Sequence, residues 1–386
     1  MLESNTFCIL PWMHLATNAQ GELRVCCNSI PSKNVIRKED GSPYTIYNDN
    51  LQEAWNSTDY QKVRVELLDN KRPSMCKRCF SEEDAGVKSA RIFSNEKWGF
   101  KGPFSANADF DIKYIDLRLG NLCNLKCRMC NPWASNQWVK EWLDVYPQEQ
   151  EDISTLSNIT WPEVEKTWEN LFDIVGTVEQ IYLTGGEPTI IKEQTKLLQY
   201  CIDNDFAKNI KLKYNTNLTN VPKSLINLWS HFKVLQLNCS IDAVGELDRY
   251  IRYPSNWFKI EQNFNVIQQL KNIDIEIHNT VQMYNILHLD KFLDWCGKFD
   301  NKIYFNILDH PEYLNIKVLP KRLKLLVEER LEKYMHIDKV PDIIKYMNSE
   351  DHFYKFDAFA SYSKTLDENR QESLIYHVPE FKEYLK

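Results

Sequence analysis

The chain has 386 residues, 43% of them hydrophobic and 26% charged, a globular composition that excludes a disordered or fibrous protein. Its 47 basic and 54 acidic residues give a formal charge of −7 without a long basic run, so nucleic acid is not an expected partner. Neither an export signal nor an apolar stretch of about 18 residues is found, so we expect a cytoplasmic protein that does not bind membranes.

The first predicted region, residues 1–93, is rich in cysteine, and a polar stretch that contains Gly and Pro, residues 94–110, follows it as a linker. Clustered cysteines in a reducing compartment indicate metal binding rather than disulfides. The cysteines of this region are Cys8, Cys26, Cys27, Cys76 and Cys79.

Short β-like runs alternate with helix-length segments through residues 111–310. This alternation predicts parallel βαβ units, and therefore either a doubly wound sheet or a barrel. The six predicted strands are YIDLRL, QIYLTG, IKLKYN, VLQLNCSID, DIEIHNTVQ and KIYFNIL. Residues 311–386 have the amphipathic pattern of helices, as in KRLKLLVEERLEKYM, and are expected to form a helical extension.

The loop after the first predicted strand reads NLCNLKCRMCNPW and contains Cys123, Cys127 and Cys130 in the spacing C-x3-C-x2-C. Chemistry in parallel α/β folds gathers at the carboxyl ends of the strands, where such loops converge. A structural zinc or an ordinary iron–sulfur cluster uses four protein ligands. Three thiolates instead hold three irons of a cubane cluster and leave the fourth iron open, and a zinc loop is the alternative interpretation.

This loop, following a strand, resembles the signature of the radical S-adenosylmethionine (SAM) enzymes. The resemblance implies a partial (β/α)6 barrel of the TIM type, with Cys123, Cys127 and Cys130 as catalytic residues and as ligands of a 4Fe–4S cluster whose open iron chelates SAM. It also implies that an electron from the cluster cleaves SAM, and that the resulting 5′-deoxyadenosyl radical abstracts hydrogen from substrate. Met129 stands where the family usually has an aromatic residue, and we expect it to pack against the adenine.

The second predicted strand ends in TGGEP, which resembles the GGE motif of the same family. The resemblance implies that Gly185, Gly186 and Glu187 hold the amino group of SAM. Glycine permits a close approach of the ligand to the backbone. An ordinary turn is the alternative interpretation.

Polar residues at the ends of later strands extend the likeness. Asn, Ser and Asp are also common turn formers, which is the alternative interpretation of these residues. For Arg252, a position on the protein surface is an equal alternative. The implied SAM contacts are Asn217, Ser240, Asp242 and Arg252, the last as a partner of the SAM carboxylate. The candidate substrate contacts, which the sequence does not distinguish from turn residues, are Asn279, Gln282 and Asn306.

The N-terminal cysteines resemble the opening of the SPASM or twitch auxiliary-cluster domains, C-x9–15-G-x4-C followed by C-x2-C, with Gly21 as the glycine. The shorter twitch form fits better, because Ala85 stands where a further cysteine would continue a full SPASM domain. The ligands that the resemblance implies for a second 4Fe–4S cluster are Cys8, Cys26, Cys76 and Cys79. Cys27 is an alternative to Cys26, and a structural zinc ion is an alternative to the cluster.

The remaining candidates have simpler interpretations. Cys201, Cys239 and Cys296 lie in helical or strand patterns and are expected to be small buried apolar residues. His14 is expected to be a packed or surface histidine, and contact with the auxiliary cluster is the alternative.

Taken together, the resemblances predict a radical SAM enzyme that modifies a peptide or protein and receives electrons from a reductant such as flavodoxin or ferredoxin. A small metabolite, for example a sugar, aminocyclitol or nucleotide, is the alternative substrate. A non-enzymatic zinc or electron-carrier protein is a third hypothesis, but a carrier has no need of a SAM pocket.

Overall fold

A computed structural model describes residues 4–29, 34–99, 102–149, 153–157 and 159–385. They form an α/β fold with an eight-stranded, mostly parallel sheet whose order is β2-β1-β3-β4-β5-β6-β7-β8. The strands are β1 (His14–Thr17), β2 (Leu23–Arg24), β3 (Tyr114–Arg118), β4 (Gln180–Thr184), β5 (Lys211–Thr216), β6 (Val234–Ser240), β7 (Ile273–Val281) and β8 (Lys302–Ile307).

All six predicted strands are confirmed as β3 to β8, and with their intervening helices they make up the predicted partial (β/α)6 barrel. The sequence analysis missed β1 and β2, which lie in the cysteine-rich region. β1 is short and buried throughout, so it lacks the alternation by which a half-buried strand is recognised.

The chain divides into two compact units, which are described separately. The first contains residues 1–122, 158–214 and 222–235, and the second contains residues 123–157, 215–221 and 236–386. The helices of the first unit are Leu51–Trp55, Thr58–Leu68, Lys77–Asp84, Ala90–Trp98, Glu165–Phe172, Gln194–Asp203 and Lys223–Trp229. The helices of the second unit are Trp138–Val145, Glu246–Ile251, Trp257–Ile267, Leu289–Cys296, Lys321–Leu331, Val340–Asn348, Phe356–Arg370 and Leu374–His377.

In the first unit, β1 pairs with β2 in antiparallel fashion and with β3 in parallel fashion, and β3 and β4 continue the parallel ladder. Side-chain caps mark where the local helices begin: Asn50 accepts hydrogen bonds from two backbone N–H groups of Leu51–Trp55, and Ser89 accepts one from Ala90–Trp98. The fully buried side chains of Trp55 and Trp168 belong to the core of this unit.

In the second unit, β7 alternates buried and half-buried residues, so one face of it is directed toward the core, and it pairs in parallel with β8. The predicted helical extension is present as four helices from Lys321 onward, and their apolar positions contribute the buried residues Val327, Ile343, Phe359 and Leu366. Within the described residues, no helix is both long enough and apolar enough to span a membrane.

Candidate functional site

The three-cysteine loop lies in the second unit, where backbone hydrogen bonds fix its path. The N–H groups of Lys126 and Arg128 donate to the carbonyls of Tyr253, at 2.7 Å, and Ile251, at 2.8 Å. The indole N–H of Trp138 donates to the Cys127 carbonyl at 2.9 Å. These hydrogen bonds hold the loop against the segment that contains Ile251 and Tyr253 and against Trp138.

The thiols of this loop are close enough to affect one another. The hydrogen bond that Cys130 donates lowers the pKa of Cys127, and the positive charge of Arg252 lowers it further. The same hydrogen bond raises the pKa of Cys130, and the nearby Cys123 raises it as well. Cys123, Cys127 and the half-buried Met129 pack in one cluster. Three neighbouring thiols on one loop fit an iron–sulfur cluster with three protein ligands.

Arg128, inside the cysteine motif, connects this loop to the C-terminal extension. Its side chain is 0% exposed, and its Nη2 donates to Asp367 at 2.6 Å and to Glu372 at 3.0 Å. Its Nε donates to the Tyr250 carbonyl at 2.9 Å, and the guanidinium lies 3.6 Å from the centre of the Tyr250 ring. A buried guanidinium with two carboxylate partners fixes the middle of the loop.

A second ion network joins the same elements. Glu141, 5% exposed, pairs with Lys126 of the loop at 2.7 Å and accepts a hydrogen bond from Arg370 Nε at 2.8 Å. Burial alone would raise the pKa of Glu141, but the hydrogen bond from Arg370 and the charges of both partners hold it below its usual value. The carboxylate therefore stays ionised between two cations.

Asn217, a predicted SAM contact, lies beside the first cysteine. Its Nδ2 donates to Asn124 Oδ1 at 3.1 Å and reaches Cys123 Sγ at 4.0 Å. Its Oδ1 accepts hydrogen bonds from the backbone N–H of Thr219, at 3.0 Å, and from the Thr219 hydroxyl, at 2.6 Å. The structure thus brings Asn217 to the cysteine loop and fixes its side chain there.

Asp242 and Arg252, the other charged residues predicted at the SAM site, form a buried ion pair with 2.7 Å between Arg252 Nε and Asp242 Oδ2. Burial raises the pKa of Asp242, and the charge of Arg252 opposes that rise. Asp242 Oδ1 also accepts a hydrogen bond from the Thr280 backbone at 2.7 Å. The structure therefore brings Arg252 to the cysteine thiols together with its own carboxylate partner.

Asp248 belongs to the same group, although the sequence analysis did not select it. It is fully buried, and its carboxylate accepts from the backbone N–H of Asp242 at 3.3 Å and from the Ser255 hydroxyl at 3.3 Å. Burial raises the pKa of Asp248 to about 7. Its sequence context, a helix after a strand, gave no signal that distinguished it from a surface aspartate.

The later strand ends carry buried amides. Gln282 is 0% exposed, and neither polar atom of its side chain has a hydrogen-bond partner among the described residues; the same holds for Asn279 Oδ1. Asn279 Nδ2 donates to the carbonyls of Ile241 and Asp242. Ser240 is half-buried at the end of β6, and Asn306 is exposed on β8. Unpaired buried amides in this unit are consistent with a polar ligand.

The TGGEP turn lies in the first unit, and close packing explains its glycines. A Cβ at Gly186 would lie 2.2 Å from the Leu122 carbonyl oxygen, and Gly185 has a φ of +139° that favours glycine. The backbone N–H of Glu187 donates to the Leu122 carbonyl at 2.9 Å, and its carboxylate accepts from Thr189. The turn is therefore built to fit closely against residues 119–122, which lead into the cysteine loop.

The four predicted auxiliary ligands come together in the first unit. Cys8, Cys26, Cys76 and Cys79 line one small cavity. Burial raises the pKa of Cys8, and Cys26, Cys76 and Cys79 add to that rise, which reflects their proximity to its thiol. Four thiols around one cavity fit a fully ligated cluster.

The adjacent residue Cys27 does not line that cavity; its thiol lies with His14 and Asp116. His14 likewise is not among the residues that line the cavity, and it stacks on Tyr114 with 4.2 Å between ring centres. The structure thus places Cys26, and not Cys27, with the other three cysteines.

Comparison with known proteins agrees with this geometry. Residues 117–295 match the family model of the radical SAM superfamily, and residues 8–80 match that of SPASM, an iron–sulfur cluster-binding domain. The middle of the chain is therefore similar to radical SAM domains, and its N-terminal region is similar to SPASM domains. The matched domains are those of enzymes, and they support SAM, a 4Fe–4S cluster and an auxiliary cluster as cofactors.

This chain is 27% identical over 193 residues to the GTP 3′,8-cyclase of Haemophilus ducreyi, an overlap of 47% of this chain and 48% of that one. It is also 27% identical over 201 residues to the GTP 3′,8-cyclase of Actinobacillus pleuropneumoniae, covering 48% and 50% of the two chains. The chain spans about half the length of the curated relatives it matches.

Two solved structures show weaker similarity. Native anSMEcpe with bound AdoMet and Cp18Cys peptide is 16% identical, with 58% of this chain and 59% of that chain covered and a TM-score of 0.38. Streptococcus suis SuiB bound to precursor peptide SuiA is 15% identical, with 67% and 59% covered and a TM-score of 0.36.

Proposed function

We propose that this enzyme abstracts a hydrogen atom from a peptide or protein and so modifies one of its residues. When bound, the cluster and SAM supply the 5′-deoxyadenosyl radical that performs this abstraction. Cys123, Cys127 and Cys130 would hold the cluster, and the observation that carries the proposal is their arrangement on a loop that buried ion pairs hold in place.

Two side chains of the second unit are proposed to bind SAM because of their position beside the cysteine loop. Asn217 reaches a cluster ligand, and Arg252 lies close enough to the thiols to lower the pKa of Cys127. A cation at that position offsets the negative charge that the thiolates carry. The remaining proposed SAM contacts are supported by the resemblance of the sequence to the family: Met129, Gly185, Gly186, Glu187, Ser240 and Asp242.

An edge strand in the second unit supports a peptide substrate. β8 pairs with β7, and no other strand among the described residues pairs with its second edge. Its side chains alternate between exposed and half-buried, and Tyr304 is 57% exposed. An unpaired edge offers backbone N–H and C=O groups that an extended peptide can bind by adding a strand.

The test is an anaerobic assay of iron-loaded protein with SAM, dithionite and candidate peptides encoded near its gene. We expect 5′-deoxyadenosine to form, the peptide to change mass, and deuterium to pass from a labelled peptide into the nucleoside. Cys127→Ala should abolish all three signals, whereas Cys201→Ala, a buried cysteine of the first unit, should retain them. Nucleoside formation without any peptide change would refute the peptide assignment.

A small-molecule substrate is the second candidate, and the similarity to GTP 3′,8-cyclases is the observation that favours it. These relatives match about half of the chain. The same assay with GTP in place of peptide distinguishes the two hypotheses. Transfer of deuterium from labelled GTP into 5′-deoxyadenosine would favour the nucleotide substrate.

A further inference from the structure

We propose that His14, Cys27 and Asp116 form a binding site for a single zinc ion, separate from both clusters. One nitrogen of His14, the sulfur of Cys27 and a carboxylate oxygen of Asp116 lie within 4.8 Å of one another. Within the part of the chain that the structure describes, no other group of three His, Cys, Asp or Glu residues brings its ligand atoms this close. The proposal does not depend on the substrate of the enzyme.

The sheet of the first unit positions two of the three ligands. β1 and β3 run parallel, with His14 opposite Tyr114 and Ala16 opposite Asp116. Because side chains alternate along a strand, residues two apart project from the same face, so His14 and Asp116 share one face. Cys27 joins them from the segment that follows β2. The small side chain of Ala16 leaves room between the ligands.

The histidine has unused binding capacity. His14 is 0% exposed, and neither Nδ1 nor Nε2 has a hydrogen-bond partner among the described residues. An imidazole buried in this way has lost its hydrogen bonds to water, at a cost of about 1–3 kcal/mol for each unsatisfied group. The ring is held against Tyr114 at 4.2 Å, so it is already oriented. A metal bond to one nitrogen would satisfy a buried atom that otherwise lacks a partner.

The donor set selects the ion. A thiolate, an imidazole and a carboxylate are the three ligand types that zinc accepts, and three protein ligands leave a fourth position for water. The thiol of Cys27 is hydrogen-bonded to Asp116, so zinc would replace that proton: the S–H bond breaks, a Zn–S bond forms and the proton passes to solvent. The two anionic ligands balance the dication, which leaves a neutral site beside Arg24 and Arg118.

Zinc bonds of about 2.0–2.3 Å set tetrahedral ligands about 3.3–3.7 Å apart. The three atoms would therefore move together by up to about 1.5 Å on binding. Cys27 is the least buried of the three residues, so an ion can approach the group from its side. Its neighbour Cys26 lines the auxiliary cavity. Zinc would therefore also fix the segment that supplies an auxiliary ligand.

The experiment measures metal rather than activity. Anaerobically loaded holoenzyme is incubated with excess zinc chloride and desalted, zinc and iron are counted per chain, and the zinc X-ray absorption edge is recorded. His14→Phe keeps an aromatic ring on Tyr114 but removes the nitrogens, while Cys27→Ser and Asp116→Asn remove the other ligands. The control is Cys201→Ser, a buried cysteine in the same unit.

We expect about one zinc per chain, with one sulfur at about 2.3 Å and nitrogen or oxygen ligands at about 2.0–2.2 Å. In each of the three variants the zinc bound per chain should be at least fivefold lower, and the iron per chain should be unchanged. The control should keep both metals. Zinc surrounded by four sulfurs would place the ion in the auxiliary cavity and overturn the proposal. Absence of bound zinc, or zinc that all three variants retain, would overturn it as well.

Discussion

Replacement of Asp367 by alanine should loosen the cysteine loop although residue 367 is 239 positions away from Arg128 in the sequence. Asp367 accepts hydrogen bonds from Arg128 Nη2 at 2.6 Å, from the Tyr250 hydroxyl at 2.9 Å and from the Leu374 backbone at 2.6 Å. The alanine variant removes all three bonds and leaves a fully buried guanidinium with Glu372 as its remaining carboxylate partner.

The magnitude follows from that geometry. Removal of one member of a buried ion pair destabilises by about 3–5 kcal/mol. Asp367 is 14% exposed, and Glu372 stays 3.0 Å from Arg128, so water and the second carboxylate offset part of the loss. We expect the free energy of local opening of the loop to fall by about 2–3 kcal/mol, which corresponds to about 30- to 150-fold faster amide exchange.

Hydrogen exchange of the anaerobic holoenzyme, followed by mass spectrometry of peptides that cover residues 123–130, measures this change. The amides of Lys126 and Arg128 donate to backbone carbonyls, so their exchange reports loop opening. Iron release to a chelator should accelerate in parallel. If the variant exchanges residues 123–130 at the same rate as the unsubstituted protein, but exchanges the helix Phe356–Arg370 faster, the coupling between extension and loop is refuted.

Glu368→Ala is the matched control. Glu368 is the next residue of the same helix, and its only described ion pair, with Lys364 at 3.9 Å, is exposed on both sides. Exposed pairs of this kind contribute less than about 1 kcal/mol. The control should leave loop exchange unchanged, and an effect as large as that of Asp367→Ala would mean that the helix, and not the ion pair, is responsible.

Three further predictions test the other sites. Gly186→Ala should destabilise the protein by at least about 2 kcal/mol in thermal unfolding, because its Cβ would lie 2.2 Å from a backbone oxygen, whereas Gly176→Ala, with 3.4 Å to a ring edge, should be tolerated. Cys26→Ser should lose the auxiliary iron, about four per chain, and Cys27→Ser should retain it; equal iron in both would contradict the assignment. Burial raises the pKa of Asp248 to about 7 in the folded protein. Between its ordinary pKa and pH 7 the folded state therefore binds more protons than the unfolded state, so stability should fall as the pH rises through this range. Asp248→Asn should flatten that slope in unfolding titrations, and an unchanged slope would contradict it.

The barrel could be predicted because the sequence of each of its strands has a local pattern that is typical of a strand. β5 and β7 alternate buried and partly exposed residues, and β6 has no charged residue and is buried from residue 235 to residue 239, so periodicity and composition together identify them. The cysteine spacings are equally local, which is why both clusters could be predicted from the sequence. β1 and β2 were missed because two to four buried residues are too few for a period to appear.

The environment of the cysteines could not be predicted in the same way. Arg128 pairs with residues 367 and 372, and Glu141 pairs with Arg370, so each network joins segments more than 220 positions apart. No periodicity relates such residues; only the fold brings them together. The choice between Cys26 and Cys27 has the same origin, since the two residues are adjacent in the sequence and their surroundings in the fold separate them.

The helical extension is therefore part of what holds the cysteine loop. A loop with three cysteines must stay ordered around an open coordination position, and its backbone alone supplies few constraints. Here the loop carries two cations, Lys126 and Arg128, whose partners lie on Trp138–Val145, on Phe356–Arg370 and in the short segment that follows it. Burying a cation without its carboxylates costs several kcal/mol, so the loop reaches this conformation only when those helices are docked. Order at the cysteines and docking of the extension are thus one coupled equilibrium.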